Sequence, residues 1–337
     1  MKMFRICISV VIVISCILCK PIYSENGGYI LKTGSDARAT AEKWYSQGFT
    51  LMRQKKYQDA IPIFDQALAA DSTFYKAWFG KGICYEQMKS YDKALEAYDT
   101  TLKLKSDYAE VWSNKGNVLQ ALNRMDDAVD AYKKSVSFKP DYWEAWYNIG
   151  SIFERLGQDE KALPALEKVT SLNGSFKDAW LKKSFVLTRL KRYAEALSAM
   201  NKVLELDPFS ETAWHSKGIL LEQVGQDDEA IQAYQKSIDY NESYPKPYHN
   251  LALVYARKQQ YDDALFVLKD SAERGLSDAQ MIYTTCRLLA ITGKKDDAFA
   301  LLRKLFRHDA GFKQKVAEDA AFNALRNDVE YKILMEL

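Results

Sequence analysis

Trp44, Trp78, Trp112, Trp146, Trp180 and Trp214 follow one another at intervals of 34 residues, and Tyr248 continues the series. A chain built on one such period folds as stacked copies of a supersecondary motif, each burying its apolar side only against its neighbours. With repeats counted from Ala41, position 8 is small (Gly48, Gly82, Gly116, Gly150, Ser184, Gly218, Ala252) and position 11 is large (Leu51, Tyr85, Leu119, Phe153, Leu187, Leu221, Tyr255). Large, small, large at i, i+4 and i+7 marks one face of a helix. The second half of each repeat answers with alanine at position 20, from Ala60 to Ala264, and a large residue four later: Phe64, Tyr98, Tyr132, Leu166, Met200, Tyr234 and Leu268. Each repeat therefore reads as two helices packed small against large.

Helix-breaking chemistry falls between the repeats, in AADST, LKSDY, FKPDY, LNGSF, LDPFS and YNESYP, where Pro140 and Pro208 share a register. Pro62 and Pro164 share another, expected near the start of the second helix, where a missing N–H costs least. Paired acids such as Asp126 with Asp127, Asp227 with Asp228 and Asp262 with Asp263 precede the position-20 alanine. Negative charge at a helix N-terminus accounts for them without catalytic work.

These residues resemble the tetratricopeptide repeat, W-x2-L-G-x2-Y, then A-x3-F, then A and P. The resemblance covers residues 41–278 as seven repeats and implies an all-α fold, an α-solenoid wound as a right-handed superhelix of stacked antiparallel helix pairs. A degenerate eighth repeat, 279–310, keeps Ala298 and Leu302 but carries Ile282 and Cys286 where the aromatic and the glycine belong. The tail, 311–337, is similar to the F-x-x-L-R-x-D-x-x-F ending of such arrays through Phe322, Leu325, Arg326 and Tyr331, and is expected to form capping helices. At position 7, where the family has leucine, Lys81, Lys115, Lys183 and Lys217 are expected as solvated surface lysines.

The resemblance further implies that the first helices line a concave groove for a protein or peptide ligand. Positions 2, 5, 9, 12 and 13 avoid the packing face and supply the candidates: aromatic Tyr45, Phe49, Phe79, Tyr147 and Phe185; polar Asn117, Gln120 and Gln223; acidic Glu86, Glu154 and Glu222; basic Arg53, Arg155, Arg189 and Arg257. Aromatics interleaved with charges suit a peptide held by side-chain pockets. The competing expectation for Phe49 and Phe185 is packing against adjacent repeats. Some relatives grip a terminal carboxylate with lysine and asparagine, then asparagine, then basic residues in consecutive repeats. Asn117, Asn148 and Lys182 match that pattern, but Ser113 and Asp178 replace two basic residues and leave the grip half missing. His215 and His249 share a position in consecutive repeats and are expected to face the groove as neighbours; without a third ligand they assign no metal.

Apolar residues at 47% and charged residues at 27% describe a globular chain, and a net charge of +2 gives no reason to assign a nucleic-acid partner. Lys2 and Arg5 precede the apolar run ICISVVIVISCILC, the grammar of an export signal over residues 1–24, with cleavage expected after Ser24 and a short linker over 25–40. An uncleaved membrane anchor and a lipid-modified Cys16 stand as alternatives. Export removes Lys2, Arg5 and Lys20 from the 47 basic residues set against 45 acidic ones, leaving a net charge of −1. Cys84 and Cys286 are too far apart in a stacked array to form a disulfide. The sequence holds no phosphate loop, H-E-x-x-H or G-x-S-x-G motif, so neither an enzyme nor a cofactor is expected. The leading expectation is an exported scaffold for a peptide or partner protein in an envelope or secretory assembly. The alternative is a structural module that self-associates or tethers a membrane complex with the groove unused.

Overall fold

The computed structural model describes residues 34–336 together with two short antiparallel strands, β1 (Ile22–Tyr23) and β2 (Tyr29–Ile30). Apart from β1, the expected signal segment lies outside the described residues, as do Cys7, Cys16, Cys19 and the cleavage site at Ser24. Among the described residues no helix is long and apolar enough to cross a membrane. The chain divides into two compact bodies, 1–149 and 150–337, the division falling within α7 (Trp143–Arg155).

In the N-terminal body, first helices α1 (Gly34–Arg53), α3 (Tyr75–Gln87) and α5 (Ala109–Ala121) pair with second helices α2 (Tyr57–Ala70), α4 (Tyr91–Leu104) and α6 (Met125–Phe138). The first helices also touch one another in the order α1, α3, α5. Because α1 begins at Gly34, residues 34–40 are helical where a linker was expected.

The C-terminal body opens with the end of α7 and α8 (Asp159–Leu172), then repeats the pairing in α9 (Lys177–Arg189) with α10 (Tyr193–Leu206), α11 (Glu211–Gln223) with α12 (Asp227–Tyr240), α13 (Pro245–Arg257) with α14 (Tyr261–Glu273), and α15 (Ala279–Ile291) with α16 (Lys295–His308). It ends in α17 (Phe312–Glu318), a 3-10 turn (Ala320–Leu325) and α18 (Val329–Glu336). Phe322, Leu325 and Tyr331 of this tail are buried against Cys286, Phe299 and Leu302, and Arg326 donates to the Ala317 carbonyl at 2.7 Å.

The small residue at position 8 sets the distance between paired helices. A Cβ on Gly82 would stand 2.3 Å from the ring of Tyr98, and one on Gly218 would stand 2.4 Å from that of Tyr234. Glycine is thus required because the position-24 ring lies directly on the first helix. The tryptophans are half-buried and tie down the loop before their helix: the indole N–H of Trp78, Trp112, Trp146, Trp180 and Trp214 donates to the carbonyl six residues earlier at 2.8–3.2 Å. Tyr248 does the same with its hydroxyl, donating to the Glu242 carbonyl at 3.0 Å.

Each first helix ends on a residue in the left-handed region. Lys55, Lys89, Asn123, Gly157, Lys191, Gly225, Gln259 and Gly293 recur at position 15 with φ between 58° and 75°. The reversal lets the next N–H bond back over five residues, as from Ser90 to the Tyr85 carbonyl at 2.8 Å, which closes the helix and starts its partner.

Two further expectations need correction. The position-7 lysines are not free in solvent: the ammonium groups of Lys81, Lys115, Lys183 and Lys217 lie 5.0–5.4 Å from the ring centre of the tryptophan three residues earlier. Lys81 and Lys115 also pair with Asp65 and Asp99, sixteen residues back on the preceding second helix, at 2.6 and 2.5 Å. Their stems cover the indole while their charges reach an acid, and that pairing keeps them from full solvation. Pro62 and Pro164, for their part, are each the sixth residue of their helix, past the turn whose N–H groups are free. Both are exposed, so water can serve the carbonyl each leaves unpaired.

Candidate functional site

In the N-terminal body the candidate aromatics mostly close the structure. Tyr45 meets Phe74 edge-on at 5.4 Å between ring centres, and Phe79 meets Tyr108 at 5.1 Å. Positions 5 and 34 therefore form a lid at the ends of the first two repeats, with Tyr and Phe exchanging places. Phe49, one turn further along α1, remains 40% exposed, and Arg53 is exposed at the helix end. Tyr147 lies half-buried on α7.

The polar candidates in this body hold a core tyrosine. Tyr98 is fully buried and its hydroxyl donates to Glu86, while Asn114 of the next repeat bonds the same hydroxyl. Burial raises the Glu86 carboxyl above its ordinary range, and the Tyr98 hydrogen bond offsets only part of that rise. One repeat later Tyr132 donates to Asn117 Oδ1 at 2.7 Å, with Gln120 Oε1 at 3.3 Å, and Asn148 donates to Asn117 at 3.2 Å. Asn117 and Asn148, two matches to the carboxylate grip, are thus engaged with each other and with Tyr132.

In the C-terminal body cations bridge consecutive repeats. Arg189 reaches Asp159 at 2.6 and 2.8 Å and Glu154 at 3.3 Å, and Lys182 pairs with Glu154 at 2.9 Å. Burial pushes the Glu154 carboxyl up, but the bonds from Lys182 and Arg189 outweigh it and hold the group below its ordinary range. In the same register two repeats on, Arg257 reaches Asp227 at 2.6 and 3.1 Å and Glu222 at 3.0 Å, and Glu222 also accepts from the hydroxyl of buried Tyr234. Asp159 and Asp227 open their second helices, so the acids at these N-termini also anchor a cation from the following repeat.

Phe185 is 43% exposed and Leu253, at the same position 9, is 37% exposed; neither Phe49 nor Phe185 is packed away. Arg155 is exposed at the end of α7. His215, expected to face the groove, is only 7% exposed and sits edge-on against Tyr244. Its ring nitrogens contact the Tyr244 hydroxyl at 3.2 Å and Asn250 Nδ2 at 3.1 Å, whereas His249 bonds Thr284 Oγ1 at 3.0 Å. Both histidines line one open cavity. Among the described residues no group of three or more His, Cys, Asp or Glu side chains is placed to hold a metal ion. Cys84 and Cys286 are buried free thiols that burial pushes up to about 12, which makes them poor nucleophiles.

The spacing, the glycine-on-aromatic packing and the closed turns agree with family models described as tetratricopeptide repeat or TPR repeat, which match residues 51–118, 116–157, 144–176, 177–210 and 223–259. The chain belongs to the tetratricopeptide repeat family. No curated protein matches it. Among solved structures, this tetratricopeptide repeat protein resembles the C-terminal part of a TPR repeat-containing protein from Cytophaga hutchinsonii, with 18% identity over 84% of this chain and 99% of that one and a TM-score of 0.53. It also resembles YrrB, described as a TPR protein with an unusual peptide-binding site, at 23% identity over 55% of this chain and 96% of YrrB with a TM-score of 0.51. PilF of Pseudomonas aeruginosa aligns at 16% identity over 67% of this chain and 98% of its own, with a TM-score of 0.50.

Sequence reasoning missed the residues that complete these contacts: Phe74, Tyr108 and Tyr244 at position 34, and Asn114 and Asn250 at position 6. The signal was present as matched variation inside the chain. Tyrosine at position 24 occurs in the three repeats that have Glu86, Gln120 or Glu222 at position 12 and are followed by Asn114, Asn148 or Asn250. In a tetratricopeptide repeat protein with the phase already assigned, such triplets identify contacts between neighbouring repeats.

Proposed function

We propose that this protein is a non-enzymatic scaffold whose first-helix faces hold an extended peptide or a segment of a partner protein, and that it works in an envelope or secretory assembly. The observation that carries the reading is the exposure of large apolar side chains at position 9, Phe49 at 40%, Phe185 at 43% and Leu253 at 37%, on faces where most of the other candidate aromatics and charges already have partners within the fold. Such side chains beside fixed charges offer a partner apolar contact at little cost in ordering. The family supports protein binding, and the N-terminal Lys2, Arg5 and apolar run support export.

The test compares native envelope proteins retained by the chain and by its Phe49→Ser, Phe185→Ser variant. A partner lost by the variant supports the first-helix faces as the binding site, while equal retention by both removes that role. A second reading, self-association, is favoured by one observation: Val329 and Ile333, one turn apart on α18, are 70% and 52% exposed. Under that reading Ile333→Asp lowers the sedimenting mass and the Phe49, Phe185 variant does not.

A further inference from the structure

The C-terminal body contains an open cavity of about 480 Å³ walled by α11, α13 and the start of α15, with Ile219, Pro245 and Met281 as its apolar lining. Its polar lining is His215, Lys246, His249, Asn250 and Asp278. The hydrogen-bond directions follow from the donors available. Tyr234 gives its proton to Glu222, so its oxygen accepts from Asn250 Nδ2 at 3.5 Å. The same Nδ2 donates to His215 Nε2 at 3.1 Å, which places that imidazole's proton on Nδ1, toward Tyr244. Thr284 gives its proton to the Gln280 carbonyl at 2.9 Å, so its oxygen accepts from His249 Nε2 at 3.0 Å. The His215 ring is thereby neutral, and burial favours the neutral form of His249, whose Nδ1 has no hydrogen-bond partner among the described residues.

The surrounding charge is positive. Lys246 is exposed and has no carboxylate partner among the described residues. Lys315 of α17 rests over the Tyr283 ring at 4.4 Å and donates to Gln280 Oε1 at 2.8 Å. Facing them is Asp278, one of whose oxygens caps the Met281 N–H at 2.8 Å. Burial lowers His215 to about 4, with Lys246 adding to the shift. Burial also lowers His249, with Asp278 opposing and Lys315 reinforcing the shift.

We propose that this cavity seats the carboxylate of an aspartate or glutamate in an extended partner segment, and that the carboxylate enters together with one proton taken from solvent onto His249 Nδ1. The segment's neighbouring apolar side chains lie along Phe185, Ile219 and Leu253, which share position 9 on successive first helices. Helices packed about 8–10 Å apart match roughly every third residue of an extended chain. The proposal rests on the first-helix face being the binding face and adds the chemistry of its occupant. An incoming carboxylate cancels the positive field of Lys246 and Lys315 and stabilises imidazolium, so the His249 pKa rises on binding. Binding then strengthens as pH falls through the His249 pKa of the complex and weakens as pH rises above it.

The experiment pans a phage-displayed library of random twelve-residue peptides on the full chain at pH 5.5 and measures the selected peptides by fluorescence polarisation. The expected peptides carry an acidic residue at a fixed place. Replacing it by its amide, substituting Lys246→Gln, or raising the pH to 8 each weakens binding about tenfold, and His249→Gln removes the pH dependence while the circular dichroism of the fold is retained. Selected peptides with no fixed acid, or a pH dependence that survives His249→Gln, overturn this proposal and leave the first-helix face standing. Failure to select any peptide that the Phe49→Ser, Phe185→Ser variant loses overturns both.

Discussion

On their first-helix faces the N-terminal body joins its repeats chiefly with rings and hydrogen bonds and the C-terminal body with charge; the ion pairs that cross repeats in the N-terminal body, Lys81 with Asp65 and Lys115 with Asp99, run instead from a first helix back to a second helix. In the first body, Tyr45 closes on Phe74, Phe79 on Tyr108, and Tyr98 and Tyr132 are each held by side chains from two repeats. In the second, Arg189 and Arg257 each grasp two acids of the preceding repeat, and a histidine takes the place of the closing ring at His215. One repeat pattern thus tolerates two kinds of junction, because the Trp, Gly and Ala positions that set the helix pairing are separate from positions 5, 6, 12, 13 and 34, which join one repeat to the next. The first-helix face of the first body is thus held mainly by rings and hydrogen bonds, and that of the second carries fixed ion pairs.

The largest effect that would test this contrast comes from Tyr98→Ala in the N-terminal body. It removes a fully buried ring and leaves Glu86 and Asn114 facing a cavity, at a cost of about 3–5 kcal/mol. Tyr98→Phe keeps the ring and loses only the hydroxyl, for about 1–2 kcal/mol. In the C-terminal body Leu166 and Met200 already fill the same position without such partners, so truncating them costs the packing alone. Urea denaturation followed by fluorescence measures both, and a Tyr98→Phe variant as stable as the parent would end the claim that the triplet joins repeats.

Acid separates the bodies next. The folded pKa of His215 lies below the ordinary histidine value, so its contribution is fully present above about pH 6.5 and is lost as pH falls toward its folded value of about 4. After allowance for solvent screening the loss is about 2 kcal/mol. Glu86 has the opposite sign: its folded pKa is raised, so its contribution is present below the ordinary carboxylate range and is lost as pH rises through the folded value. Hydrogen exchange between pH 7 and 4.5 should therefore show protection around His215 falling more steeply than protection around Glu86, and His215→Phe should flatten the slope. Equal slopes in both regions, or a slope unchanged by His215→Phe, would break the comparison.

What was legible in the sequence follows the same division. The helix pairs and their phase could be read from Trp, Gly and Ala because one period repeats them and only a small residue fits under Tyr98 or Tyr234. The first-helix face was harder to read. Tyr45 and Phe79 look like pocket residues until Phe74 and Tyr108 are seen to lie on them from the far end of the repeat, and His215 looks like a surface histidine until Tyr244 and Asn250 enclose it. The position-7 lysines were misread for a related reason: the acids of Lys81, Lys115 and Lys183 lie sixteen residues back on another helix, beyond any local pattern. Phe185 and Leu253 became informative only once their neighbours' contacts were known.

The smallest effect concerns the left-handed residue between the two helices of each repeat, which local composition conceals. The N-terminal body places Lys55, Lys89 and Asn123 there, whereas the C-terminal body places glycine at three of its five turns, Gly157, Gly225 and Gly293. A side chain in this region costs about 1 kcal/mol through its Cβ, and glycine returns part of that through the greater freedom of its unfolded chain. Lys89→Gly should consequently stabilise the N-terminal body by a few tenths of a kcal/mol to about 1 kcal/mol, and Gly225→Lys should destabilise the C-terminal body by about the same amount. No atom lies within 4 Å of a Cβ built on Gly225, so the second substitution measures backbone strain without a clash. If the two changes shift the urea midpoint in the same direction, backbone strain is not what distinguishes these turns, and the lysine stems must stabilise the N-terminal reversals by contacts of their own.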